Sequence, residues 1–517
     1  MPSINKSRIA KNTAALYFRM LLTTLITLYI TRKVTEVLGV EDYGTYSAIA
    51  AIVVMFVFLS GTMATAAQRF FAVELGVENH TKLKQVFSIN VLIFIGLAFI
   101  ICILAETAGL WFFKTKMEIP TDRMDAAAWV FHFAVLSFMV GIITTPYLAI
   151  ITAREHLQAY AYISILEVIF KLAIVFVLIY FPMDKLKLYA ILLFCVQVLI
   201  SATYIIYSTV KFPECKVKYY WNRKMFNEVT SFAGWNVMGT LAVAVRSQGI
   251  TLLLNTFFGV LISAARGYAF QVYTALNAFA LNFFTAVRPQ IIKSYSADNE
   301  DKSGEMMKLV FQSSKFCFYL IFVLSLPILI ESKAILHLWI GTKIEPVLDI
   351  TVIFTRLVVI NAIIESLANP FIASIQATGK IKWYQIFTSS LILMILPVSY
   401  LFLKLGFSPE TPMIVVIVIT VLAHISRFYF MNKLLKMNVL KYIKQVIIPI
   451  SAVTVLSVIF PLLYYYSFSP SFWRIVGVCG VTVISSAFII YFIGLTKSER
   501  SGLKRFLFSK IGKMYSK

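Results

Sequence analysis

The chain has 517 residues, of which 60% are hydrophobic and only 14% charged, against about 25% charged in a typical soluble domain. A mean hydropathy of +0.83 excludes an ordinary soluble enzyme. The net charge of +23 does not indicate a nucleic-acid partner, because the Lys and Arg sit mostly in short loops between apolar runs, a pattern that reports membrane topology.

A helix needs about 20 apolar residues to cross a hydrocarbon core of about 30 Å. After a polar, basic start (Met1 to Lys11), runs of that length occupy roughly 13–31, 43–66, 87–113, 127–151, 159–181, 186–209, 228–257, 265–287, 309–330, 349–375, 383–404, 411–432, 443–465 and 472–494. The first run lacks the short apolar core and small-residue cleavage site of a secretory leader, so it reads as a retained span. Small and polar residues dilute the second and eighth. The prediction is an all-α polytopic membrane protein with about 14 transmembrane helices. With the N-terminus in the cytoplasm, the inside segments hold most of the 47 Lys and Arg, led by the loop Lys211–Glu228 and the tail after Gly494. Both termini are therefore expected to be cytoplasmic.

An internal repeat organises these spans. Leu38-Gly39-Val40, then Gln68-Arg69, then a helix ending in Leu110-Trp111 is answered by Phe258-Gly259-Val260, Val287-Arg288 and a helix ending in Leu338-Trp339. The segment from Pro146 to Tyr160 parallels that from Pro370 to Tyr384 at one spacing throughout. Spans 1–6 thus resemble spans 7–12. The expected division is an N-terminal lobe at 1–210, a C-terminal lobe at 211–436, and spans 13–14 with a basic tail at 437–517. Six spans per repeat make the copies parallel, and substrate sites of such transporters form between the halves.

Ionisable residues inside spans are the best functional clue, since each costs about 2.5–3.5 kcal/mol at a helix centre on insertion scales. The cations well inside are Arg19, Lys171, Arg246 and Arg356, and the acids are Glu167 and Glu365. Arg246 lies near the middle of span 7 beside Ser247 and Gln248, in a helix that also carries Asn236, Thr240, Thr251 and Asn255. It reads as a phosphate ligand, because a guanidinium pairs with phosphate through two parallel hydrogen bonds. The competing reading is a structural ion pair with an acid such as Glu365. Arg19 starts a stripe with Thr23 and Thr27 at four-residue spacing on the equivalent span of the first repeat, about a third of the way in, where its competing reading is a side chain snorkelling to the cytoplasm. Lys171 follows Glu167 by four residues, so that pair neutralises itself. Arg356 lies nearer the outer end of its span.

Asn361, Glu365 and Asn369 make one polar face in span 10, ahead of Pro370, which can open the helix backbone. Glu365 is a candidate site for a coupling H+ or Na+, or a partner for an Arg. Arg69 and Arg288 close matching spans at the cytoplasmic side and are candidates either for gripping headgroups there or for topology charges. Arg154, Lys380, Lys382 and Arg427 read as topology charges. Trp111, Trp339 and Trp473 read as interface anchors. The five cysteines and the isolated His132, His337 and His424 lack metal-ligand spacing, so no metal and no cofactor is expected. No phosphate-binding glycine loop occurs, and the outside loops are too short for an active-site domain, so an enzyme is not expected.

Fourteen spans as two six-span repeats plus two, with Arg19, then Leu38-Gly39-Val40-Glu41-Asp42-Tyr43-Gly44 and a small-residue span closing on Gln68-Arg69-Phe70-Phe71, resemble a family. It is the polysaccharide transporter family, the Wzx-type O-antigen and capsule flippases of the multidrug/oligosaccharidyl-lipid/polysaccharide (MOP) exporter superfamily. The resemblance covers roughly the whole chain through loose motifs. It implies alternating-access transport of an undecaprenyl-diphosphate-linked oligosaccharide across the bacterial cytoplasmic (inner) membrane. Arg19, Arg246 and Arg356 would line a cationic cavity, and an ion gradient would supply coupling at Glu365. Implied partners are the lipid-linked oligosaccharide, membrane lipids, H+ or Na+, and glycan polymerase or assembly proteins, with no nucleic acid. Alternatives are a lipid II flippase or a cation-coupled multidrug exporter of the same superfamily; a membrane glycan polymerase or ligase, or a non-transporting scaffold, fits less well.

Overall fold

The computed structural model describes residues 6–76, 79–154, 156–217, 220–296, 300–378 and 380–501, with side chains left undescribed at 6–18, 231–240 and a few shorter stretches. Every regular element among these residues is a helix. In order they are α1 (Lys6–Leu38), α2 (Val40–Val54), α3 (Val57–Gly76), α4 (His80–Leu104), α5 (Leu110–Lys116), α6 (Met124–Ala153), α7 (Leu157–Tyr180), α8 (Lys185–Lys211), α9 (Arg223–Ser296) and α10 (Glu300–Ile330). Then come α11 (Ser332–Ile340), α12 (Leu348–Ser366), α13 (Ala368–Ala377), α14 (Lys382–Leu393), α15 (Ile395–Lys404), α16 (Thr411–Leu435), α17 (Val439–Tyr442), α18 (Ile448–Ser467) and α19 (Phe472–Ile489), with short 3-10 and π turns between some of them.

Among the described residues, 11 helical segments are long and apolar enough to cross a membrane. One of them, Leu241–Leu281, contains a break at Gly259 and so covers two expected spans. The first two expected spans correspond to α1 and to α2 with α3. The diluted second span is divided by a turn at Met55–Phe56. The all-α polytopic architecture stands. The exposed large side chains are apolar along the spans, as at Phe99, Ile100 and Ile103 in α4 or Val455, Ile459 and Leu463 in α18, which suits lipid as solvent because helices satisfy their own backbone.

Gly39 and Gly259, equivalent in the repeat, both break their helices in the same way. Their φ/ψ are 84°/168° and 77°/−168°, a region open essentially to glycine alone. Pro370 lacks the N–H that would bond the Ser366 carbonyl, and the helix opens at Leu367, between α12 and α13.

The chain forms two compact units, each assembled from separate stretches of sequence. The first comprises Met1–Tyr268, Trp339–Thr351 and Ser389–Pro412. In it α6 packs against α2, α3, α4, α7 and α8, and α1 lies along α7. Its core joins Ala48, Ile49, Phe113, Phe131, Val135 and Leu186. Within this unit the helix starts that follow the two paired glycines touch: a Cβ on Gly44 would lie 2.1 Å from the Val260 carbonyl oxygen. Tyr43 and Tyr268 stack with ring centroids 4.6 Å apart, the Tyr268 hydroxyl is 3.0 Å from Thr35 Oγ1, and Trp339 Nε1 donates to the Leu28 carbonyl at 2.8 Å. Asn255, fully buried, bonds the Glu118 backbone through both ends of its amide, at 3.2 and 3.5 Å.

The second unit comprises Ala269–Leu338, Val352–Thr388 and Met413–Lys517. There α10 packs against α13, α18 and α19. Phe311, Phe318, Phe322, Phe371, Phe430 and Tyr442 fill its core.

Candidate functional site

Apolar helix α7 carries one polar stripe: Tyr160, Ser164, Glu167 and Lys171 recur at three- and four-residue steps and so share a face. Arg19 of α1 lies on the first two of them. Its Nη1 donates to Ser164 Oγ at 3.4 Å, and its guanidinium sits 4.7 Å above the Tyr160 ring. The Arg19 Nε is buried and has no hydrogen-bond partner, and no carboxylate pairs with Arg19 among the described residues. Thr23 turns back on the Met20 carbonyl at 3.1 Å, so the stripe predicted from Arg19 to Thr27 does not extend the cation's hydrogen bonding. Two turns along α7, Lys171 Nζ donates to Glu167 at 2.6 Å, the pairing their spacing suggests. Lys171 also lines a cavity of about 270 Å³ with Tyr46, Ser137 and Gln197.

Arg246 is half-buried in the first part of α9, also in the first unit. Ser247 bonds the Ala244 carbonyl at 3.1 Å, and Gln248 reaches Ser247 at 3.5 Å. The next residue, Gly249, lets α9 approach α15: a Cβ there would be 2.5 Å from Leu396 Cδ1. The side chains of Asn236 and Thr240 lie outside the described residues. Asn255, read from sequence as part of the same polar helix, spends its amide on the Glu118 backbone.

In the second unit Glu365 accepts hydrogen bonds from the Tyr273 hydroxyl at 2.6 Å and from Asn361 Nδ2 at 3.3 Å. Asn361 is buried, and its Oδ1 has no hydrogen-bond partner. The Glu365 carboxyl, Tyr273 and Asn361 thus form a compact polar cluster in an apolar helix layer, able to hold a proton or a small cation. Arg356 is exposed and donates from Nε to Ser332 Oγ at 3.2 Å. Arg288 donates to Gln376 at 3.0 Å. The Arg69 side chain lies outside the described residues.

Several charges escaped the sequence reading. Lys315 of α10 is buried against Glu499 at 2.7 Å. Arg474 of α19 grips Glu331 through Nε and Nη2 at 2.7 and 2.9 Å, with Tyr465 beneath its guanidinium at 4.3 Å. Arg266 is 5% exposed. The available signal was a cation inside an apolar run, which Lys315 and Arg266 both show. The acids of Lys315 and Arg474 lie far off in sequence, so no spacing rule could pair them.

No protein-family profile and no curated protein matches this sequence. Solved structures do. A multidrug resistance MATE family transporter of the MOP superfamily, in an inward-facing conformation, aligns with TM-score 0.67 and 12% identity over 80% of this chain and 96% of its own. The lipid II flippase MurJ, inward closed, aligns with TM-score 0.68 and 14% identity over 93% of this chain and 98% of its own. A MOP superfamily transporter from Pyrococcus furiosus, described by the reverse polarity of its binding pocket, gives TM-score 0.56 and 14% identity over 83% and 97%. At these identities the likeness is one of fold: the chain is a multi-pass helical membrane protein with the fold of MOP superfamily transporters.

Proposed function

We propose that this protein is a flippase that carries an undecaprenyl-diphosphate-linked oligosaccharide across the bacterial cytoplasmic membrane by alternating access, with both termini in the cytoplasm. The observation that carries the reading is Arg19: a cation within the membrane layer, bonded only to a hydroxyl and an aromatic face, with an unused buried N–H and no carboxylate partner among the described residues. A permanent charge in that setting is suited to an anionic ligand. A transporter of cationic drugs would need the opposite polarity. The wide coverage by a lipid-substrate transporter, 93% of this chain, supports the same class.

Arg19 and Arg246 would hold phosphate oxygens, each charge-assisted bond contributing about 1.5–3 kcal/mol. Arg356 is a further candidate for acidic groups on the sugar. Arg69 and Arg288 would meet headgroups where they enter. Glu365, held by Tyr273 and Asn361, is the candidate for ion coupling. A second reading, transport of lipid II itself, is favoured by the MurJ likeness; it keeps the same diphosphate chemistry and changes only the glycan.

The test is mass spectrometry of lipid-linked oligosaccharides in the host with the gene deleted, complemented by wild type, Arg19→Ala or Arg246→Ala. Accumulation of the lipid-linked unit with loss of surface glycan, reversed by wild type and not by well-expressed variants, supports the reading. If the variants rescue fully, the two arginines are structural. If deletion changes neither pool in a strain without a second flippase, the glycan reading falls.

A further inference from the structure

The second unit contains a cleft of about 510 Å³ that the transport reading leaves unused. It lies between the start of α10, the turn joining α16 to α17, and the residues after α19; Lys308, Lys315, Lys436, Lys441, Gln445 and Glu499 are among its walls. Four lysines thus face one carboxylate. Lys315 and Glu499 neutralise each other at 2.7 Å, and Glu499 is further held by the Thr496 N–H at 2.8 Å. Lys308, Lys436 and Lys441 have no carboxylate partner among the described residues, so three cations remain to meet a ligand.

A second observation is independent of charge. Helix α16 ends in a left-handed turn: the Lys436 N–H bonds the Asn432 carbonyl at 2.9 Å, and the Met437 N–H bonds the Met431 carbonyl at 3.3 Å. The residue in the left-handed position of such a turn is usually glycine. Here it is Lys436, at φ 51°, the only non-glycine residue with positive φ among those described. A glycine would sit there without strain. What the lysine adds is a cationic side chain in the wall of the cleft, and strain retained at one position points to a role for its side chain. Next to it Asn438 caps α17 by accepting from the Lys441 N–H at 2.9 Å, which fixes the backbone at the third cation.

We infer that this cleft binds the phosphate group of an anionic phospholipid. Phosphate chemistry follows from three unpaired ammonium groups among amide and hydroxyl side chains. The lipid source follows from the neighbours: Leu440 and Ile443 flank Lys441, and Phe492 and Ile493 precede Thr496, all exposed. They offer apolar surface for acyl chains beside the polar cleft, the arrangement expected of basic headgroup pockets at a membrane boundary. The inference does not depend on the transported substrate.

Native mass spectrometry of the full chain in neutral detergent, titrated with phosphatidylglycerol, phosphatidylcholine or glycerol 3-phosphate, tests it. Wild type should retain one phosphatidylglycerol in strong preference to phosphatidylcholine. Lys436→Gly relieves the backbone, should fold at least as well, and should weaken phosphatidylglycerol about fivefold. Adding Lys308→Gln and Lys441→Gln should bring the loss to roughly a hundredfold at about fivefold per lysine, with phosphatidylcholine unaffected. Equal retention of the two lipids, or undiminished phosphatidylglycerol binding by Lys436→Gly, overturns the site. Glycerol 3-phosphate binding as tightly as phosphatidylglycerol overturns the lipid source and assigns the cleft to a soluble phosphate.

Discussion

Replacing Gly44 by Ala in α2 puts two effects of opposite sign against each other. In an open helix the change gains about 1 kcal/mol of helix propensity. In this structure the new Cβ would stand 2.1 Å from the Val260 carbonyl oxygen and 2.9 Å from its carbon, with the Ala264 Cβ at 3.2 Å. Backbone cannot swing aside as a flexible side chain can, so the two helix starts must separate. Overpacking of this kind costs about 1–3 kcal/mol, charged only to the arrangement in which they touch. That arrangement is also held by the Tyr43–Tyr268 stack and the Thr35–Tyr268 hydrogen bond. Thr35 is fully buried, so a Thr35→Cys reporter is alkylated only when the contact opens. The opening equilibrium, and with it the labelling rate, should rise about five- to 150-fold in Gly44→Ala. Peptide mass spectrometry at position 35 measures the rate directly. Gly96→Ala in α4 is the control: nothing lies within 4 Å of its Cβ, so it should only stabilise. If Gly44→Ala labels no faster than its parent, or stabilises as Gly96→Ala does, the close backbone contact is refuted.

Breaking the buried Arg474–Glu331 pair from one side, with Arg474→Met, should destabilise the protein by on the order of 3 kcal/mol, because a buried carboxylate is left unpaired. Adding Glu331→Gln should recover most of that loss, measured by thermal unfolding of wild type, Arg474→Met and the double variant in detergent; equal stability of all three would show the pair to be inert. Burial pushes the Glu499 carboxyl up, but the Lys315 ammonium and the Thr496 N–H outweigh it and hold the carboxyl below its ordinary value of 4.5. A carboxyl lowered on folding stabilises the fold above its ordinary value and loses that contribution as the pH falls through the folded one. Wild type should therefore lose stability on acidification below about pH 4.5 more steeply than Glu499→Gln, and parallel pH profiles would sink the assignment. Glu365→Gln should uncouple transport from an imposed ion gradient while leaving lipid-linked substrate bound, a result read in proteoliposomes with and without the gradient; unchanged coupling would return Glu365 to a structural role.

Local chemistry was readable from the chain itself. The apolar runs located the spans because a bilayer of fixed thickness demands helices of fixed length. The paired Leu-Gly-Val and Phe-Gly-Val motifs were legible as marks of a repeat; the structure adds that both are helix breaks, since only glycine tolerates the backbone found at Gly39 and Gly259. The Glu167–Lys171 pair followed from helical spacing, and Pro370 from its missing N–H. The tertiary structure alone decided which charges meet across distance. Lys315 and Glu499 are 184 residues apart, and Arg474 and Glu331 are 143 apart. It alone set Tyr268 on Thr35 and Tyr43, gave Arg19 an aromatic face, and gathered around one cleft three lysines without a carboxylate partner among the described residues. Hydropathy and periodicity record what each residue asks of its own helix. Which helix supplies the partner depends on how the helices pack, and that is not written in the spacing of any one of them.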